Sequence, residues 1–208
     1  MTIDAPDLEN SPASPDATSP TDSTSPSATH RFLRQAVEWT LIIVGALLLA
    51  FLFRTFVAQT FYIPSDSMNP NLLIGDRILV SKISVEWGTI HRGDIVVFNS
   101  PNNLVTACGT TPEKYLVKRV IGVPGDHLKS VGDNIYVNGA LLSQPWAHIE
   151  PLGSRPISPT IVPANHYFML GDNEPISCDS RYWGTVPRSS IIGKAVTIIY
   201  PFNRIGFL

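Results

Sequence analysis

The chain is short of cysteine, of charge and of lysine. Its 208 residues hold two cysteines, Cys108 and Cys178, which excludes a disulfide-dense scaffold and a four-thiolate zinc site. Charged residues make up 15% and hydrophobic residues 44%, where a soluble domain carries about a quarter charged. That balance excludes a highly charged polymer and a coat for nucleic acid. No glycine-rich loop leads from a strand into a helix, so nucleotide phosphates have no cradle. His30, His91, His127, His148 and His166 are isolated, without the i, i+4 spacing of a helical metal pair. No Gly-x-Ser-x-Gly elbow anchors a hydrolase triad on an α/β sheet. Neither a metal nor a cofactor is expected.

What charge there is divides the chain. Residues 1–30 carry Asp4, Asp7, Glu9, Asp16 and Asp22 and no Lys or Arg. The remaining 178 residues hold 15 basic against 12 acidic side chains, too small an excess for a phosphate-binding surface. The first 30 residues also hold six Ser, five Thr and five Pro. Such a segment cannot bury enough apolar area to offset its chain entropy, and it is expected to be a disordered cytoplasmic tail.

From Trp39 to Phe53 the chain is uncharged, and Leu41-Ile42-Ile43-Val44 is its densest apolar run. Fifteen helical residues reach about 22 Å, short of a hydrocarbon core of about 30 Å. Extension to Ala58 closes the gap, with Arg54 lifting its guanidinium toward the headgroups and Trp39 at the opposite interface. The expectation is a single transmembrane anchor over residues 36–58. A buried core helix fits less well, because nothing else in the chain offers helices to cover it. A cleaved leader fits less well too, because cutting after Ala58 puts the bulky Phe56 at the −3 position. Arg31 and Arg34 favour a cytoplasmic N-terminus, which places residues 59–208 on the far side of the cell membrane.

Those residues read as β. Arg77-Ile78-Leu79-Val80, Asp94-Ile95-Val96-Val97-Phe98 and Tyr115-Leu116-Val117 are bounded by turn signals at Ile74-Gly75-Asp76, Arg92-Gly93-Asp94 and Pro124-Gly125-Asp126. Ile135-Tyr136-Val137 and Ala140-Leu141-Leu142, joined by Asn138-Gly139, have the pattern of a hairpin with a two-residue primed turn. Residues 99–114 read as a protruding loop, and Pro151 to Pro163, with four prolines, as another. The fold class is mainly β, antiparallel, behind one transmembrane helix.

Chemistry is concentrated in Ile63-Pro64-Ser65-Asp66-Ser67-Met68-Asn69-Pro70, just after the apolar segment. Two prolines stiffen it, and Met68 is an apolar residue in a polar turn. A serine needs a base to become a nucleophile, and no histidine is well placed. A lysine can serve if burial lowers its pKa. Of Lys82, Lys114, Lys118, Lys129 and Lys194, Lys118 stands in apolar sequence, and strand alternation puts it on one face with Leu116 and Val120. A turn serine in a capping role and a strand lysine reaching solvent satisfy the same pattern.

At these residues the chain resembles the type I signal peptidases, the membrane-bound bacterial enzymes that remove signal peptides. Four blocks match in order: residues 63–76, Ile63 to Asp76; residues 92–98, Arg92 to Phe98; residues 118–126, Lys118 to Asp126; and Gly171-Asp172-Asn173 through Ser177-Cys178-Asp179-Ser180-Arg181-Tyr182-Trp183-Gly184. The resemblance implies an antiparallel catalytic domain over 59–208 with a cap reduced to 128–168. It implies Ser67 as nucleophile, Lys118 as general base, Ser65 as an oxyanion donor, and Ser177 as the hydroxyl that bonds and orients the lysine. Arg119, Asp172, Asp179 and Arg181 are implied as supporting ion pairs, and Phe61, Ile63, Met68, Leu72, Leu116 and Val117 as the substrate cleft. The implied substrates are preproteins emerging from the translocation machinery, cut after a small-x-small (Ala-x-Ala) site. The expected partner surface is the lipid bilayer, with no nucleic acid and a monomeric chain.

Two positions depart from the family pattern. Glu174-Pro175-Ile176 follows Gly171-Asp172-Asn173 where the family usually has Arg, and Asn71 replaces the usual Thr. Cys108 and Cys178 are either one disulfide, tying the 99–114 loop to the block that holds Ser177, or two free buried thiols. Two competing functions stand beside the peptidase. A self-cleaving repressor shares a Ser–Lys dyad but has no membrane anchor, and a membrane-tethered, non-catalytic β domain could bind exported chains without cutting them.

Overall fold

The structure, a computed structural model, describes residues 28–109, 111, 113–147 and 155–208. The tail expected over residues 1–30 lies outside them up to residue 27, as do His148 and part of the expected 151–163 loop. The chain divides into two units, residues 1–46 and 47–208.

Helix α1 (Ala28–Phe56) contains a span, Phe32–Leu52, of 21 residues with mean hydropathy 2.0 and none of that window buried. At 1.5 Å per residue it is about 31 Å long, which matches a bilayer's hydrocarbon core. Thr40 hides its hydroxyl by donating to the Ala36 carbonyl one turn back. The helix stops two residues short of the expected boundary. Ala58 does not extend it but opens strand β1 (Ala58–Tyr62), paired with β2 (Arg77–Ser81) from Ala58↔Ser81 to Tyr62↔Arg77. The backbone here bonds across to another strand, with Lys82 N–H donating to the Val57 carbonyl, and that pairing ends the helix.

After α2 (Ile83–Glu86) come β3 (Ile95–Asn99), α3 (Leu104–Cys108) and β4 (Tyr115–Gly122). Then follow β5 (His127–Val131), β6 (Asn134–Val137), β7 (Ala140–Leu141), β8 (Thr160–Ile161) and β9 (His166–Leu170). The chain closes with α4 (Ser180–Trp183), β10 (Val186–Pro187), β11 (Ile191–Tyr200) and β12 (Gly206–Phe207). Among the described residues these make two sheets with antiparallel pairing throughout. The larger has the order β1-β2-β11-β3-β4-β9-β10 with β12 on β11, and the smaller is β7-β6-β5-β8.

The apolar run in β3 has a simple cause. Val96 and Phe98 enter one core, with Val120, Met169 and Trp183, while Ile95 and Val97 enter a second, with Met68, Leu72 and Ile78. A strand buried on both faces shows no alternation. The small sheet has its own core of Leu128, Ile135, Val137 and Phe168. Its hairpin forms as expected, with Asn138 at φ 54° and Gly139 at φ 84°, the signs a primed turn requires.

Two loop expectations need correction. Within 99–114, residues 104–108 form α3, because Leu104 is an anchor buried in the first core and Cys108 is bonded to Cys178 across 70 residues of sequence. The Pro-rich stretch up to Pro163 contributes β8, which pairs with β5 through His127↔Ile161 and Leu128↔Thr160.

Candidate active site

The serine-rich segment is a single 3₁₀ turn, Asp66–Met68, held from below and from behind. Below, Met68 and Leu72 are fully buried in the second core, so an apolar residue in this polar turn serves as its anchor. Behind, Asn173 donates its backbone N–H to the Ser67 carbonyl at 3.1 Å and its side-chain amide to the Asp66 carbonyl at 3.2 Å. Gly171 allows that approach: a Cβ there would collide with the Ser67 carbonyl and the Ser177 hydroxyl.

Lys118, in the middle of β4, is 3% exposed, and its Nζ lies 2.5 Å from Ser67 Oγ. Burial lowers the Lys118 ammonium from the ordinary 10.5 to about 8, against the upward pull of Asp179, Glu113 and Asp172. Ser65 Oγ stands 3.4 Å from Ser67 Oγ at the exposed side of the turn. The structure therefore brings Ser65, Ser67 and Lys118 together from segments some fifty residues apart in sequence. Ser177 is buried beside them, but its hydroxyl makes no hydrogen bond among the described residues, so the expected bond to Lys118 is not formed here. The hydroxyl instead lies against Gly171.

Two arginine–carboxylate forks stand behind the pair. Arg119 donates to both Asp172 oxygens, at 2.7 and 2.6 Å. Arg181 donates to both Asp179 oxygens, at 2.8 and 2.7 Å, and to the Glu174 carbonyl at 2.8 Å. Asp179 is also the N-cap of α4 and accepts from Gly171 N–H at 3.2 Å, which ties the fork to the segment holding Ser67. Burial pushes the Asp172 and Glu174 carboxyls up. Glu174 is buried, with its carboxylate 3.9 Å from Arg181 Nη1.

A cavity of about 510 Å³ runs from this point between β1 and the first half of β4. Phe61, Ile63, Met68, Leu116 and Val117 line it, with Ser65, Ser67 and Lys118 at one end. Leu72 does not, since it is buried in the second core beneath the Ser67 turn. Both walls are strand edges: β1 pairs on one side with β2, and β9 pairs with β4 from Arg119 onward, leaving Tyr115 to Lys118 bonded to β3 alone. Phe61 and Tyr115 meet edge-to-face across it, with centroids 5.4 Å apart. Tyr115 and Glu113 were not singled out from the sequence as cleft residues; Tyr115 opens β4 and Glu113 lies two residues before it, and their place in the lining depends on strand pairing rather than on a local motif. Among the described residues no cluster of His, Cys, Asp or Glu could hold a metal.

Residues 36–200 match the family described as signal peptidase, peptidase S26. The chain is 42% identical to "Probable signal peptidase I-2" of Synechocystis sp. over 79% of its length and 73% of that protein's. It is 40% identical to signal peptidase I of Leptolyngbya laminosa over 78% of its length and 79% of the relative's. A crystal structure of a signal peptidase I from Enterococcus faecalis V583 is 31% identical, with a TM-score of 0.40, over 51% of this chain and 96% of that one. With four fifths of the chain matched, it belongs to the signal peptidase I family, peptidase S26, the hydrolases that process signal peptides.

Proposed function

We propose that the chain removes signal peptides through a Ser67–Lys118 dyad, cutting after a small-x-small site. The observation that carries this reading is the 2.5 Å approach of a fully buried lysine to the serine hydroxyl. With a pKa of about 8, about a tenth of Lys118 is neutral at pH 7, some hundreds of times more than for an ordinary lysine. In that state the Ser67 hydroxyl donates to Nζ. Ser67 Oγ attacks the scissile carbonyl as its proton passes to Lys118. The Ser67 N–H and the Ser65 hydroxyl hold the oxyanion, and either donor is worth about 10²–10³ in rate. Lys118 returns the proton to the leaving amine, then takes one from the water that hydrolyses the acyl ester. The two arginine forks hold the segment behind the dyad.

The substrate lies extended between the open edges of β1 and β4, main chain to main chain, with its small residues against Ile63, Met68 and Leu116. The apolar helix tethers the enzyme to the cell membrane with its N-terminus in the cytoplasm, so that cutting occurs where a preprotein emerges from the translocation machinery. Tethering turns a bimolecular search into a surface one and raises the effective concentration.

The test is cleavage of a preprotein bearing an Ala-x-Ala site by the full chain in lipid, with the mature N-terminus sequenced. Wild type is expected to cut at that site, and Lys118→Ala and Ser67→Ala to be silent while remaining folded. Cleavage by either variant would remove the dyad. A folded wild type that bound preproteins without cutting any would favour the tethered binding domain.

A further inference from the structure

One short segment, Gln144-Pro145-Trp146, leaves the small sheet after β7 and reaches three groups behind the Ser67–Lys118 pair. The Trp146 ring lies 4.9 Å from the Arg119 guanidinium, on the fork with Asp172. The Trp146 carbonyl accepts from the Asn71 side-chain amide at 2.7 Å, and the same amide nitrogen donates to Asp172 Oδ2 at 2.8 Å. The Gln144 side chain faces the buried Glu174 carboxylate. Asn71 and Glu174 are the two residues at which this chain leaves the family pattern, and both meet the same segment.

Each contact continues into the site. Asn71 lies three residues after the turn that carries Ser67, and both its amide hydrogens are used, so it is a fixed joint. Asp172 sits between Gly171 and Asn173, the residues packed on and bonded to the Ser67 carbonyl. Glu174 faces Arg181, which holds Asp179, which accepts from Gly171 N–H. None of Asn71, Gln144, Trp146 and Glu174 lines the cleft.

We propose that Gln144–Trp146 is a strap that sets the geometry and charge of the dyad from behind, with Asn71, Trp146 and Glu174 as positioning residues. The inference rests on the Ser67–Lys118 reading. Its physical basis is water exclusion and a fixed charge. A ring stacked on Arg119 keeps the fork dry, and a dry fork holds Asp172, hence Asn173 and Ser67, in one place. The carboxylate of Glu174 offsets part of the Arg181 charge. Lys118 is faced by Asp179, Glu113, Arg181 and Asp172, and Glu174 by Arg181, Asp179 and Asp133 with Gln144. Removing the Glu174 charge leaves Arg181 less compensated, so Lys118 releases its proton at lower pH.

The experiment uses the full chain in lipid vesicles with an Ala-x-Ala preprotein, following kcat and KM across pH together with amide exchange over residues 169–174. Trp146→Ala and Asn71→Ala are expected to lower kcat about tenfold or more at unchanged KM, with faster exchange at Asn173, and Trp146→Phe to restore most of the rate. Glu174→Gln is expected to move the rising limb of the pH–rate curve to lower pH by some tenths of a unit, with KM unchanged. An unmoved limb together with unaltered exchange in Trp146→Ala overturns the strap, as does a Phe variant no better than Ala. A wild type that cuts nothing removes the dyad reading instead, and exchange at Asn173 still decides whether the strap holds the segment.

Discussion

Asn173 donates its backbone N–H to the carbonyl of Ser67, so the Gly171-Asp172-Asn173 segment holds Ser67 by its main chain. Gly171 packs so closely on the same carbonyl that the segment can sit there only without a side chain.

A methyl group at that position must therefore push the two segments apart. Gly171→Ala is expected to lower stability by about 1–3 kcal/mol, the usual cost of overpacking. It is also expected to lower kcat at least a hundredfold, because displacement of a nucleophile by about 1 Å costs that much. Thermal melting and cleavage rates measured on the same preparation check both. A stable, fully active variant would mean that Ser67 is positioned by something else.

Lys118 sets activity against stability. Burial depresses its pKa to about 8, so between roughly pH 8 and 10.5 the unfolded chain binds a proton that the folded chain does not, and this group's contribution to stability rises with pH. Below pH 8 the fold carries a charged buried lysine at a cost on the order of 3 kcal/mol. Lys118→Met is expected to be inactive yet to melt higher than wild type at pH 7, with the gap closing as pH rises through that window. For wild type, cleavage should rise with pH to a limb centred near 8.

The Cys108–Cys178 bond ties α3 to the residue after Ser177 and spans 70 residues of sequence. A loop of that length constrains the unfolded chain by about 4 kcal/mol. Reduction, or Cys108→Ser, is expected to lower the melting temperature and to slow cleavage by loosening the Ser177 loop. Unchanged rates in reductant and in the variant would confine the bond to a stabilising role.

Much of the fold was legible because its signals are local. The Asn138-Gly139 hairpin follows from positive φ at two adjacent residues, and β2, β3 and β4 from apolar runs bounded by Gly-Asp turns. The α1 boundary was misplaced because the chain's uncharged stretch says where a helix is apolar, not where its backbone finds another partner; Ala58 had β2 to pair with. Helix α3 was missed because five residues carry too little periodicity, and its cause, Leu104 in the first core, is a tertiary contact.

At the site, the order of blocks in the sequence was enough to single out Ser65, Ser67, Lys118 and the residues of the two arginine forks, because each block sets them within a stiff local frame of prolines, glycines and alternating strand positions. Whether those residues meet depends on pairings between strands far apart in sequence. Tertiary structure alone decided that Lys118 is buried 2.5 Å from Ser67, that Leu72 is an anchor and not a cleft wall, and that Ser177 lies unbonded against Gly171. It decided too that Glu174 is buried and that Asn71 bonds the Trp146 carbonyl, since burial and the distance between two groups are properties of packing that no run of neighbouring residues contains.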